Sequence, residues 1–196
     1  GTGKSFALID LAVAVATDGS WLEAFPVDSE GGRGRVLLAM AEEDAEEMRR
    51  RLWGAMESRG LTPSERREVA SRVDVLPLAG EQCALTKDGN DNDVRTTFAD
   101  ALEEALRERV ATDDDGWAVL LLDPVSRFAG PDAEKDNAAA TRFIQVLESL
   151  TKLPGSPSIL AAVHTNKGGS KEHGYKQATD ASLVRGSSAF VDGARW

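Results

Sequence analysis

Short apolar runs alternate with helical patterns along this chain, and that alternation restricts its fold more than any other feature. Residues 35–41 (RVLLAMA), 73–78, 117–122 and 158–163 have the length and apolarity of strands buried on both faces. Between them lie segments of helical spacing. Residues 45–59 place Ala45, Met48, Leu52 and Met56 on one stripe, offer Glu46–Arg50 and Glu47–Arg51 as i,i+4 pairs, and stop at Gly60. Thr62-Pro63-Ser64-Glu65 supplies a cap, a proline and an acidic first turn for another short helix. Over 94–110 the residues Val94, Phe98, Ala101, Leu102, Ala105 and Leu106 recur at helical intervals, and over 137–152 Phe143, Ile144, Leu147 and Leu150 share a face. Strands that alternate with helices pair in parallel, with helices on both faces of the sheet. The expected fold is therefore α/β with a mostly parallel sheet, and the polar stretches 18–35, 79–93 and 168–180 read as loops.

In sheets of this kind functional groups gather at the carboxyl ends of the strands. Glu42, Asp123 and His164 all stand at such ends. Ahead of them the chain opens on Gly1-Thr2-Gly3-Lys4-Ser5, followed by an apolar, alanine-rich stretch from Phe6 to Ala16 suited to a buried helix. Those five residues are the second half of the phosphate-binding pattern G-x-x-x-x-G-K-[ST]; its first glycine would lie three residues before Gly1. Glycines let successive N–H groups curl towards phosphate oxygens, and the following helix adds its positive end. Gly1, Thr2, Gly3, Lys4, Ser5 and Phe6 are thus the candidate nucleotide-binding residues. Lys4 would reach the β- and γ-phosphates, while Ser5 and Asp123 would hold Mg²⁺.

Proline follows Asp123 where many phosphate-loop ATPases place a water-activating glutamate. An acid must then come from elsewhere, and Glu42-Glu43-Asp44 at the end of the second apolar run is the source. Asp44, with Glu43 beside it, fits the start of a helix, which leaves Glu42 as the choice and Glu43 as the alternative. His164 faces the same edge as Asp123 and could sense the γ-phosphate. Arg185 and Arg195 flank a small-residue segment, and either could be an ordinary surface ion-pair partner or an arginine offered to a neighbouring subunit's nucleotide.

The chain of 196 residues with 41% hydrophobic content has room for one domain, taken as 1–196. It lacks an initiator methionine and begins inside a motif, so it is read as part of a longer protein whose strand feeding the loop lies upstream of Gly1. The net charge of −10 argues against a broad basic surface for duplex DNA but not against a few local basic loops. Cys83 is the single cysteine and excludes an internal disulfide, so a reducing cytoplasm is expected. No run of about twenty apolar residues is present, and no membrane partner is expected.

Together, GTGKS, VLLAMAEEDAEEMRRRL, VLLLDPVSRFAG, ILAAVHTNKGG and VRGSSAFVDGARW resemble the RepA-like branch of RecA-type P-loop ATPases of the AAA family, which includes hexameric replicative helicases of plasmids. That resemblance implies a RecA-like core, ATP and Mg²⁺ as ligands, and a homo-oligomeric, hexameric ring with sites between subunits. It makes Lys4 and Ser5 the Walker A residues, Asp123 Walker B, Glu42 the water-activating acid and His164 the sensor. Arg195 becomes the arginine finger, with Arg185 as second choice. It also implies that 167–176, with Lys167, Lys171, His173 and Lys176, faces single-stranded DNA.

Overall fold

A computed structural model describes residues 3–27, 34–88, 94–111, 115–130, 132–164 and 188–194. The chain is an α/β domain around a four-stranded parallel sheet, consistent with a RecA-like P-loop NTPase. Its strands are β3 (Arg35–Met40), β4 (Val73–Pro77), β5 (Trp117–Asp123) and β6 (Ser158–Ala161), in spatial order β4-β3-β5-β6. Side chains alternate across a strand, and the core divides accordingly. Val36, Leu38, Met40, Val119 and Leu121 point to one face, where α1 (Lys4–Thr17), α2 (Ala45–Ser58) and α3 (Pro63–Arg72) cover them. Leu37, Ala39, Leu120 and Leu122 point to the other, under α4 (Thr97–Val110), α5 (Val125–Phe128) and α6 (Asn137–Leu150).

α1 lies deepest among the helices of its layer, with Leu8, Ile9, Ala12, Val13, Ala14 and Ala16 buried. Burying each larger aliphatic side chain contributes about 2 kcal/mol, so packing rather than capping holds this helix. The other long helices start on side-chain caps. Asp44, Thr62, Thr96 and Asp136 each accept a first-turn N–H, and Thr62 with Glu65 completes a capping box.

Several expectations need correction. The stretch 18–35 contains a two-stranded hairpin, β1 (Ser20–Trp21) with β2 (Phe25–Pro26), anchored where the Trp21 indole donates to the Ala7 carbonyl at 2.8 Å. The helix placed over 94–110 starts at Thr97, because Arg95 is drawn into a bridge with Thr86 and Thr96 becomes the cap. Ala101 and Ala105 are exposed; the buried stripe of that helix is Ala99, Leu102, Leu106 and Val110. Ala45 is exposed, and Arg50 turns to Glu47 instead of Glu46. β6 ends at Ala161, two residues early, and the short helices α5 and α7 (Ala189–Asp192) carry too little periodicity to be foreseen.

Candidate active site

Backbone bonds just beyond the strand ends tie the carboxyl edge of the sheet into one unit. Leu78 N–H donates to Met40 O at 2.9 Å, Ala41 N–H to Asp123 O at 2.8 Å, and Ala162 N–H to Leu122 O at 2.8 Å. Pro124, joined to Asp123 by a cis peptide, has no N–H to continue the ladder; Val125 N–H instead reaches Ala162 O at 2.8 Å. The ends of β3, β5 and β6 are held side by side, and their terminal residues face a common space with the start of α1.

Gly3 caps α1 at φ 76°, a left-handed conformation that favours glycine, and a Cβ built there would meet nothing within 4 Å. No side chain caps α1 and its first turn holds no acid. Its free N–H groups and positive end therefore lie open to an anion. Lys4 and Ser5 follow at once and bridge to the sheet. The Ser5 hydroxyl donates to Asp123 Oδ2 at 2.6 Å, and Lys4 Nζ lies 3.1 Å from His164 Nδ1. An ammonium only donates, so Nδ1 is the acceptor and the ring proton belongs on Nε2. That nitrogen lies 3.9 Å from Glu42 Oε1, with both side chains about half exposed. Glu42, His164 and Lys4 thus form a line across the mouth of the site, while Ser5 and Asp123 form its floor, Asp123 being 4% exposed.

Glu43 is held differently from its neighbour. Arg51 Nη1 donates to its Oε1 at 2.6 Å, and the carboxylate is mostly buried, at 12% exposure. Its Oε2 is buried without a hydrogen-bond partner. Burial pushes the Glu43 carboxyl above its usual range; Arg51 opposes that shift, and the charges of Asp123 and Glu42 add to it. Arg51 also bonds Glu47 and lays its guanidinium over the ring of Phe6, 5.0 Å from the centroid. Phe6 itself is largely exposed. The sequence reading gave Arg51 only a helix-surface pair with Glu47; the missed signal was the eight-residue spacing from Glu43, which places Arg51 over the strand end.

A divalent cation fits the chemistry of this floor. Ser5 and Asp123 offer hard oxygen donors already in contact, no basic side chain among the described residues bonds the Asp123 carboxylate, and a buried Glu43 oxygen without a hydrogen-bond partner lies nearby. Gly1, Thr2, Arg185, Arg195 and the segment 167–176 lie outside the described residues. No helix among the described residues is long and apolar enough to cross a membrane.

A left-handed glycine leading into an uncapped helix, a Lys-Ser pair reaching the sheet, and an aspartate at the end of a central parallel strand define a P-loop nucleoside triphosphatase. The chain matches the AAA domain family over residues 1–170 and belongs to that family of ATPases. No curated protein matches it.

Proposed function

We propose that the chain is the ATPase core of a RepA-like DNA helicase or single-stranded-DNA translocase, working in plasmid, phage or mobile-element replication as a hexameric ring in the cytoplasm. The observation that carries this reading is the convergence of Lys4, Ser5, Glu42, Asp123 and His164 on one carboxyl edge, in contact pairs that match their separate tasks. Lys4 exchanges the His164 nitrogen for β- and γ-phosphate oxygens, with the α1 N-terminus supporting the same charge. Ser5 and Asp123 would hold Mg²⁺, which neutralises phosphate charge when bound. Glu42 reaches open space beside His164 and takes the proton of the attacking water, a task that the Arg51-bound Glu43 is not free to perform. His164, released from Lys4 when phosphate binds, reports occupancy to the loop beginning at Lys167. Arg195, with Arg185 as second choice, completes a neighbouring subunit's site, and Lys167, Lys171 and Lys176 contact the DNA backbone.

ATP hydrolysis with and without single-stranded DNA, using Lys4→Ala as the blank, tests this reading. Lys4→Ala should abolish turnover, and Glu42→Gln should keep ATP binding while losing hydrolysis. DNA stimulation of the wild type supports a translocating motor; turnover indifferent to DNA would reject it in favour of an ATPase that does not unwind. Unchanged turnover in Lys4→Ala would remove the ATP site itself.

A further inference from the structure

The outer surface of α2 and α3 carries a feature the ATP site does not use. α2 buries Met48 and Met56 on its inner side, and at the rim of that packing stands Trp53, 50% exposed. Arg66 of α3 lays its guanidinium over the indole, 4.7 Å from the ring centroid. Between the two helices Leu52, Met56 and Pro63 line a cleft of about 460 Å³, with Trp53 as one wall and Arg49 and Arg67 at its edges. Arg49 and Arg67 have no ionic partner among the described residues. By contrast, Arg50 and Arg51 bond Glu47, and Arg72 bonds Asp115. On a chain of net charge −10, two such arginines beside an apolar cleft make a positive island in an acidic surface. Tryptophan and arginine around a desolvated pocket are also the residue types that dominate protein interfaces.

We propose that this cleft docks an acidic amphipathic segment of a partner protein, which inserts a bulky apolar side chain beside Trp53 and sets its carboxylates on Arg49 and Arg67. Charge complementarity selects the sign of the partner, and the carbon-lined floor requires its apolar face. A nucleic acid suits the cleft poorly. Arg66 already covers one face of the Trp53 ring, which leaves less of it for base stacking, and the carbon-lined floor offers a base no hydrogen-bond partner. Trp53 lies eight residues into α2, about 12 Å along the axis from its start, so the cleft is separate from the ATP site and its occupancy does not depend on that assignment.

The test is fluorescence anisotropy with a short labelled synthetic peptide carrying Leu and Phe at helical i,i+3,i+4,i+7 positions and Glu or Asp elsewhere. A scrambled peptide of the same composition and an oligo-dT strand serve as comparisons, with sedimentation velocity on the same samples. The amphipathic peptide should bind saturably, at least about tenfold more tightly than the scrambled one. Arg49→Glu/Arg67→Glu, two surface changes that break no described ion pair, should weaken it by about tenfold or more. Trp53→Ala should do the same with an unchanged circular dichroism spectrum. Absence of saturable binding, or binding indifferent to the charge reversal, would overturn the proposal. So would oligo-dT binding that the reversal abolishes, which would mark a nucleic-acid surface, or an assembly that the reversal dissociates, which would mark a contact between copies of this chain.

Discussion

Replacing Arg51 with alanine isolates what holds the acids beside the candidate site. The guanidinium bonds Glu43 and Glu47, each at 2.6 Å, and covers the Phe6 ring. Glu43 and Arg51 are 12% and 20% exposed, so their contact lies between a surface pair and a buried one. Removing one partner of a buried pair costs about 3–5 kcal/mol, because the other charge is left without compensation; partial exposure of Arg51 places the expected loss near about 3 kcal/mol. For a chain of this size that corresponds to a fall in Tm of about 6–12 °C. Glu43→Gln should cost less than about 1 kcal/mol, since it removes a charge that burial disfavours and Asp123 repels, and leaves Arg51 with Glu47. The double variant should therefore recover about 1–2 kcal/mol relative to Arg51→Ala alone. The pH dependence has a definite sign. A carboxyl whose folded pKa is raised opposes folding once it ionises, so the Arg51→Ala deficit should be full at neutral pH and shrink as pH falls into the ordinary carboxyl range. Urea unfolding of the four proteins at several pH values, with a common m-value, measures all of this. An Arg51→Ala loss below about 0.5 kcal/mol, or a double variant no more stable than Arg51→Ala, would refute the reasoning.

Three further outcomes follow from local geometry. Thr62→Ala removes the side-chain half of the capping box on α3, leaving the residue-62 N–H to donate to Glu65, and should lower stability by about 1 kcal/mol in the same urea assay. Gly155→Ala should cost at least about 2 kcal/mol: Gly155 sits at φ 93°, and an added Cβ would fall 2.4 Å from the Trp117 carbonyl, so a wild-type melt would contradict that contact. The Glu47 carboxyl is held down to about 2 by Arg50 first and then Arg51. Its folded pKa is depressed, so its contribution is present above the ordinary value of 4.5 and is lost as pH falls towards 2. Glu47→Gln should accordingly flatten the acid side of the Tm–pH curve, as differential scanning calorimetry would show.

The sheet was legible because continuous apolar runs of strand length have few alternatives between amphipathic helices: β3, β4 and β5 fall within a residue or two of their sequence-based bounds. The hairpin β1–β2 was not, since Trp21 holds it through its bond to Ala7 of α1 and its ring contact with Phe25, at 5.9 Å between centroids, which no periodicity reports. Within the site, the residue types and their strand-end positions could be read directly, yet their pairings could not. Ser5 with Asp123 spans 118 residues and Lys4 with His164 spans 160. The difference between Glu42 and Glu43 is likewise tertiary. Adjacent residues leaving a strand point in different directions, and only the placement of Arg51 on α2 decides which of the two is held.

The same arrangement explains why Asp123 is followed by proline. A residue able to donate its N–H after Asp123 could extend β5 along β6 and carry the aspartate past the edge. Pro124 removes that donor, the chain turns, and Val125 N–H takes Ala162 O instead. Asp123 is thereby left as the last residue of β5, with its carbonyl engaged by Ala41 just past β3 and its carboxylate free for Ser5. Three strand ends and the start of α1 thus meet at one aspartate. Glu42 and His164 project from the chain just beyond these backbone bonds, 3.9 Å apart. Backbone bonds fix the strand end that carries Asp123, whereas Glu42 and His164 stand about half exposed beyond those bonds, so the sheet holds the floor's aspartate more directly than it holds the mouth.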